Sequence, residues 1–189
     1  MKPTEELKAD HRQIERMLAV LYALSGRLDA SKEVPAEDLA GAVEFIQLFA
    51  DRFHHGKEED LLFPALEEAG MPRDAGPIGV MLGEHEMGRQ FVRDLAKAVA
   101  KYGKNDKAAV PAIIENARGY AALLTQHICK EDNILFSLAE SQLSEEKQAE
   151  LEKAFAKVAE ERIGQGKRAE LLELLDRLEK LCREKAQAR

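Results

Sequence analysis

Two short stretches carry side chains of metal-binding type at matching positions. His54-His55-Gly56-Lys57-Glu58-Glu59-Asp60-Leu61-Leu62-Phe63-Pro64 returns 73 residues later as His127-Ile128-Cys129-Lys130-Glu131-Asp132-Asn133-Ile134-Leu135-Phe136. Upstream, Asp10-His11-Arg12 is matched by Glu84-His85-Glu86 at an offset of 74 residues. The chain therefore reads as two copies of one unit: a lone His, then His-x3-Glu followed by an apolar Leu-Phe. A repeat of this kind bears on the whole fold. On a helix, His and Glu four residues apart stack on one face. A neutral imidazole and a carboxylate so placed can bind one metal ion, and a carboxylate can bridge two. Taken together, His11, His54, His85 and His127 with Glu58 and Glu131 would form one dinuclear site between the helices of a bundle.

The elements that must position these residues follow from apolar spacing. The first helix is expected to start near Thr4, with Glu5 and Glu6 in its first turn. Its stripe is Leu7, Ile14, Leu18, Leu21 and Leu28, and His11 falls inside it. Ser31 to Pro35 breaks the helix, and Pro35 suits the start of the next. The second helix runs from about residue 36 into the 60s. Val43, Ile46, Ala50, Leu61 and Ala65 share a face with His54 and Glu58, and Pro64 is expected to kink or end the regular part. Residues 70–77 form a connector. The third helix carries Ile78, Leu82, Val92, Leu95, Val99 and Tyr102 around His85. Gly79, Gly83 and Gly88 weaken it and favour tight packing over ligand access. Residues 103–106 turn the chain. The fourth helix carries Val110, Ile113, Ala117, Tyr120, Leu124, His127, Glu131, Ile134 and Leu138.

Beyond Ser144 the style changes. Residues 145–162 and about 168–187 read as two amphipathic helices, with Leu151, Phe155 and Val158 on one and Leu171, Leu175, Leu178 and Leu181 on the other. The expected division is 1–140, a metal-binding four-helix bundle, and 141–189, a C-terminal helical extension. The extension either covers the bundle, the preferred reading, or pairs with a second subunit in a homodimer.

With 189 residues the chain can bury one core of ordinary size. Apolar residues make up 45% and charged residues 33%, dominated by good helix formers. A net charge of −7 argues against nucleic acid or an anionic membrane as partner. No stretch approaches the roughly 20 apolar residues of a membrane span, and the acidic start lacks a signal-peptide core. Cys129 and Cys182 make no disulfide framework, which fits a reducing, cytoplasmic setting.

A single His in an apolar stripe is ordinarily a hydrogen-bonded core residue. Here four helices each carry one, and two of them bring a Glu that is costly to bury without a partner. No Lys or Arg is read onto those stripes at the same level, so a metal is the expected source of positive charge. Imidazole with carboxylate suits iron, manganese or zinc, and bridging carboxylates in a bundle favour a pair of irons. His55 lies about 100° around the helix from His54. It reads first as a residue that donates to an acid or orients a ligand, equally as one paired at the surface, and direct ligation is the remaining reading. Glu59, Asp60 and Asp132 read as solvated charges. Tyr22 and Tyr120 read as packing residues near the core.

The doubled His-x3-Glu with its trailing Leu-Phe, plus His11 and His85, resembles the hemerythrin family and its bacterial HHE cation-binding branch over about residues 4–140. The resemblance implies an all-α, up-down-up-down four-helix bundle around two non-haem iron ions joined by an oxo or hydroxo bridge. It further implies Glu58 and Glu131 as bridging carboxylates and the four His as terminal ligands. The family's oxygen carriers place a second His four residues after the lone His of the third helix, and here Arg89 stands there. Four terminal His leave an open position. That set is more similar to the iron–sulfur cluster repair proteins of the superfamily, whose added cysteine domain has no counterpart in these residues. The expected function is to bind or sense oxygen, nitric oxide or iron. The alternative is an enzyme that decomposes peroxide or oxidises iron, and a purely structural metal is the remaining reading.

Overall fold

Pro3 opens α1 (Pro3–Asp29) in the first turn, where its missing N–H costs no helical hydrogen bond. The structure, a computed structural model, describes residues 1–187. Leu7, Ile14, Leu18, Leu21 and Leu28 are buried along α1 with His11 among them. After a turn through Ser31, which takes a left-handed φ of 55°, the chain enters a long helical run. It begins as α2 (Ala36–Phe45), passes through two π-helical segments, π1 (Ile46–His55) and π2 (Glu58–Leu62), and ends as α3 (Phe63–Glu68). Pro64 does not end this run. It sits in the first turn of α3, where the hydrogen-bond ladder is restarting and no donor is needed.

The second half repeats the plan. α4 (Gly76–Tyr102) is followed by a 3₁₀ turn (Lys107–Ala109), α5 (Val110–Lys130), π3 (Glu131–Leu135) and α6 (Phe136–Gln142). π3 corrects one expected position. Ile134 is 53% exposed, whereas Leu135 and Phe136 are buried. A π turn hydrogen-bonds i to i+5 and adds a residue to the turn, so the apolar face is shifted from where a 3.6-residue period puts it. Tyr22 is likewise exposed, while Tyr120 is buried.

The result is an all-helical bundle, with no strand among the described residues. Its apolar interior falls into two clusters, one with Ile14, Ala50, Phe53, Val92 and Leu124, the other with Leu7, Leu62, Phe63, Met81 and Phe136. On each of the four helical runs the His lies between a residue of one cluster and a residue of the other. The site is thus a polar layer closed off by apolar packing on both sides.

The C-terminal helices α7 (Glu145–Arg162) and α8 (Gln165–Gln187) lie against this bundle. Leu171, Leu175 and Leu178 join the first cluster, while Leu151 and Phe155 join the second. Their apolar faces are therefore used within one chain. Gly56 leaves a notch that Arg162 fills: a Cβ there would collide with the guanidinium. No helix among the described residues is long and apolar enough to cross a membrane.

Candidate metal centre

All six residues singled out by spacing are buried and converge. Together with His55, which was not among the six, they form two groups of four whose ligand atoms lie within 4.8 Å of one another: His11, His54, Glu58 and Glu131, and His55, Glu58, His85 and His127. Glu58 belongs to both. Its two oxygens each stand 3.6 Å from an imidazole, Oε1 from His54 Nε2 and Oε2 from His85 Nε2. Glu131 Oε2 lies 3.1 Å from His11 Nε2 and 3.3 Å from His127 Nε2. Each carboxylate thus sits between one His of the first half and one of the second.

These inward atoms suit a cation. All four oxygens of Glu58 and Glu131 are buried without a hydrogen-bond partner, as is His55 Nε2. His11 Nε2 is close to Glu131 but misdirected for a hydrogen bond. Unpaired buried polar atoms are rare and costly. His85 Nε2 and His127 Nε2 are 3.1 Å apart. The outer nitrogens of both rings face carboxylates, so in the neutral form that binds metal both inner nitrogens present lone pairs to each other, and a positive centre removes that repulsion.

The outer nitrogens are spoken for. Nδ1 faces Asp132 at 2.7 Å in His11, Asp51 at 3.3 Å in His55, Glu59 at 2.6 Å in His85 and Glu84 at 2.9 Å in His127. An ionised carboxylate only accepts, so each Nδ1 carries the hydrogen and each Nε2 is left free to bind. Phe63 stacks on His85 with ring centres 6.0 Å apart, and Phe136 stacks on His11 at 5.4 Å. The repeated Leu-Phe therefore fixes ring orientation across the halves: the Phe of each half covers the lone His of the other.

A model of the family described as hemerythrin HHE cation binding domain matches residues 2–139. The chain belongs to the hemerythrin HHE family. Uncharacterized proteins of Mycobacterium bovis and Mycobacterium tuberculosis are each 26% identical to it over 132 residues, which is 70% of this chain and 51% of theirs. The chain spans about half the length of these curated relatives. No solved structure matches it.

Within this hemerythrin domain the electrostatics follow from burial. Burial and the neighbouring Glu131 push the Glu58 carboxyl well above the usual range. Burial acts on Glu131 too, but His127 and His11 beside it bring that carboxyl well below. Burial holds His54 well below an ordinary imidazole and His55 at about 3. Both rings are therefore kept in the neutral form that binds metal.

Several residues stand elsewhere than spacing indicated. His55 is buried at the centre, stacked on His85 with ring centres 3.9 Å apart. π1 is the reason: its wider turn brings adjacent His54 and His55 both inward. Glu59 and Asp132 are not free surface charges, since each supports a lone His of the other half. Asp60 does lie at the surface, paired with Arg162. Lys57 is fully buried beside the site, against the expectation that no cation stands at this level, but it is held by Asp10 and Glu6 rather than by Glu58. Arg89, at the position of the carriers' extra His, bonds both Asp51 and Glu59 and so braces the supports of His55 and His85. Spacing did not single out Asp10 and Glu84, although their recurrence as acids at the 74-residue offset was a readable signal. A cavity of about 160 Å³, lined by Ile46, Gly88, Arg89, Val92 and Tyr120, adjoins His55.

Proposed function

We propose that the protein holds two metal ions, iron in preference, and through them binds or senses a small molecule: oxygen, nitric oxide or iron itself. One ion would be held by His11, His54, Glu58 and Glu131, the other by His55, Glu58, His85 and His127. Glu131 would also reach the second ion beside His127. The observation that carries this reading is the pair of four-residue groups sharing Glu58, with their carboxylate oxygens otherwise unpartnered. Imidazole with carboxylate and no thiolate supports iron, manganese or zinc, and shared carboxylates inside a bundle support an iron pair.

When bound, such ions supply Lewis acidity and positions open to an exogenous ligand. The chain's own groups do the rest. Asp132, Asp51, Glu59 and Glu84 hold the Nδ1 hydrogens outward, and Phe63 and Phe136 fix two of the rings and exclude water. The cavity beside His55 supports a ligand of a few atoms. Elemental analysis of protein reconstituted without oxygen tests the reading: two ions per chain are expected, and a ratio of one or zero overturns it. The second reading, an enzyme that decomposes peroxide or oxidises iron, draws on the same cavity. Turnover of hydrogen peroxide by the iron-loaded protein separates the two.

A further inference from the structure

The internal repeat provides its own control for one part of the centre. In the second half, Lys130 pairs with Glu84, and Glu84 accepts from His127 Nδ1 at 2.9 Å. The repeat offsets place Lys57, Asp10 and His54 at the equivalent positions of the first half. Lys57 pairs with Asp10 in the same way. Yet the Asp10 oxygen that Lys57 takes, Oδ2, stands 3.7 Å from His54 Nδ1, and that nitrogen is buried with no hydrogen-bond partner. His54 is alone among the five His in lacking a carboxylate on its outer nitrogen.

Two things differ between the halves: Asp10 is one methylene shorter than Glu84, and it carries a heavier cation load, to which the extension contributes. Lys130 is 34% exposed and can share its charge with solvent, whereas Lys57 is 0% exposed. Its ammonium lies 4.1 Å from the centre of the Phe53 ring and 5.4 Å from that of Phe155 on α7. On the far side of Asp10, Arg168 of α8 brings a guanidinium to 3.8 Å from Oδ1. The same guanidinium rests over the rings of Phe49 and Phe53, at 5.9 and 5.7 Å. Among the described residues, Glu84 has only Lys130 as a cationic partner besides His127. Arg168 and Phe155 both lie beyond the residues that the family model matches.

We propose that the C-terminal extension is part of the metal centre: Arg168, with Lys57 confined under Phe155, draws Asp10 off His54 and makes the two metal positions unequal. Arg168 is a positioning residue, acting on His54 through Asp10. An imidazole that donates its outer N–H to a carboxylate is the more basic ligand, and losing that partner typically costs 10- to 100-fold in metal affinity. His54 is consequently the weaker donor, and the ion of the His11–His54 group is the one released first. The inference rests on the two-ion reading above.

Full-length protein loaded with cobalt(II) tests it, with chelator-driven release and the optical spectrum as readouts. The wild type is expected to release two ions in separate phases. Arg168→Ala frees Asp10 to approach His54, as Glu84 approaches His127, and slows the faster phase by about 10-fold while shifting the bands of one ion. Arg168→Met keeps the apolar stem over Phe49 and Phe53 and is expected to match Arg168→Ala; Arg168→Lys restores the wild-type rate. Two ions in the wild type with release and spectrum unmoved in Arg168→Met overturn this proposal alone. So does an equal change in both phases accompanied by a lower unfolding temperature of the metal-free variant, because that is a purely structural effect. Fewer than two ions in the wild type overturn it together with the two-ion reading.

Discussion

At the residue scale the centre is built from pairs rather than from single ligands. Glu58 lies between His54 and His85, and Glu131 between His127 and His11. Removing either carboxylate takes a donor from both halves at once. Glu58→Ala and Glu131→Ala are each expected to lose most of the bound metal, read as ions per chain, and retention of both ions would mean the carboxylates do not bridge. The adjacent histidines make a sharper case. Periodicity alone pairs only His54 with Glu58 and expects His55→Ala to keep both ions. The burial of His55 and its place beside His85 and His127 lead to a different expectation: His54→Ala and His55→Ala each lose one ion, and not the same one. If His55→Ala retains two ions by elemental analysis, His55 serves only as an outer support bonded to Asp51. The acids that hold the Nδ1 hydrogens were half legible. Glu59 and Asp132 recur at the repeat offset, but an acid beside a charged stretch looks like any solvated charge until the facing helix is in place.

At the scale of elements, the π segments decide which side chains reach the interior. Apolar spacing located all four bundle helices and both helices of the extension, because burial of one face is what holds a helix in a small protein. It missed the exposure of Ile134 and the depth at which His55 is buried, both within a π segment. A pattern read with one fixed period carries no mark of a single widened turn. The shifted register has a direct test. Ile134→Asp is expected to change stability by no more than about 0.5 kcal/mol, as exposed substitutions do. Leu135→Asp places a carboxylate in the apolar cluster and is expected to cost several kcal/mol. Denaturant unfolding of both variants measures the difference, and equal effects would return the segment to an ordinary α-helical register.

At the scale of the molecule, the extension shares the bundle's interior. Leu175 is fully buried in the cluster that also holds Ile14, Phe49 and Val99. Leu175→Ala is expected to destabilise the metal-free protein by about 2–5 kcal/mol. A fragment ending at residue 140 keeps every proposed ligand and is expected to bind metal with lower stability, since Leu174 no longer lies against Gly41 or Arg168 over Phe49. A soluble, helical fragment that binds no metal would count against that division. Metal itself is expected to raise the unfolding temperature progressively, with the logarithm of its concentration above the dissociation constant, because the ions would bind the folded arrangement of Glu58 and Glu131 and not the unfolded chain. An unfolding temperature indifferent to added iron would mean that the cluster is stable as a purely hydrogen-bonded core.

The sequence by itself determined the helical class, the order of the helices, the duplicated unit and six inward-facing residues. Those follow from local spacing and from a repeat, both of which are properties of the chain in one dimension. Tertiary structure alone decided which acid supports which histidine, that His55 turns inward, and that Lys57, Arg162 and Arg168 tie the extension to the centre. Partners such as Asp132 with His11, or Arg168 with Asp10, are more than a hundred residues apart. Their pairing depends on how whole helices face one another, and a charged residue shows in sequence only that it must be solvated or paired, not with what.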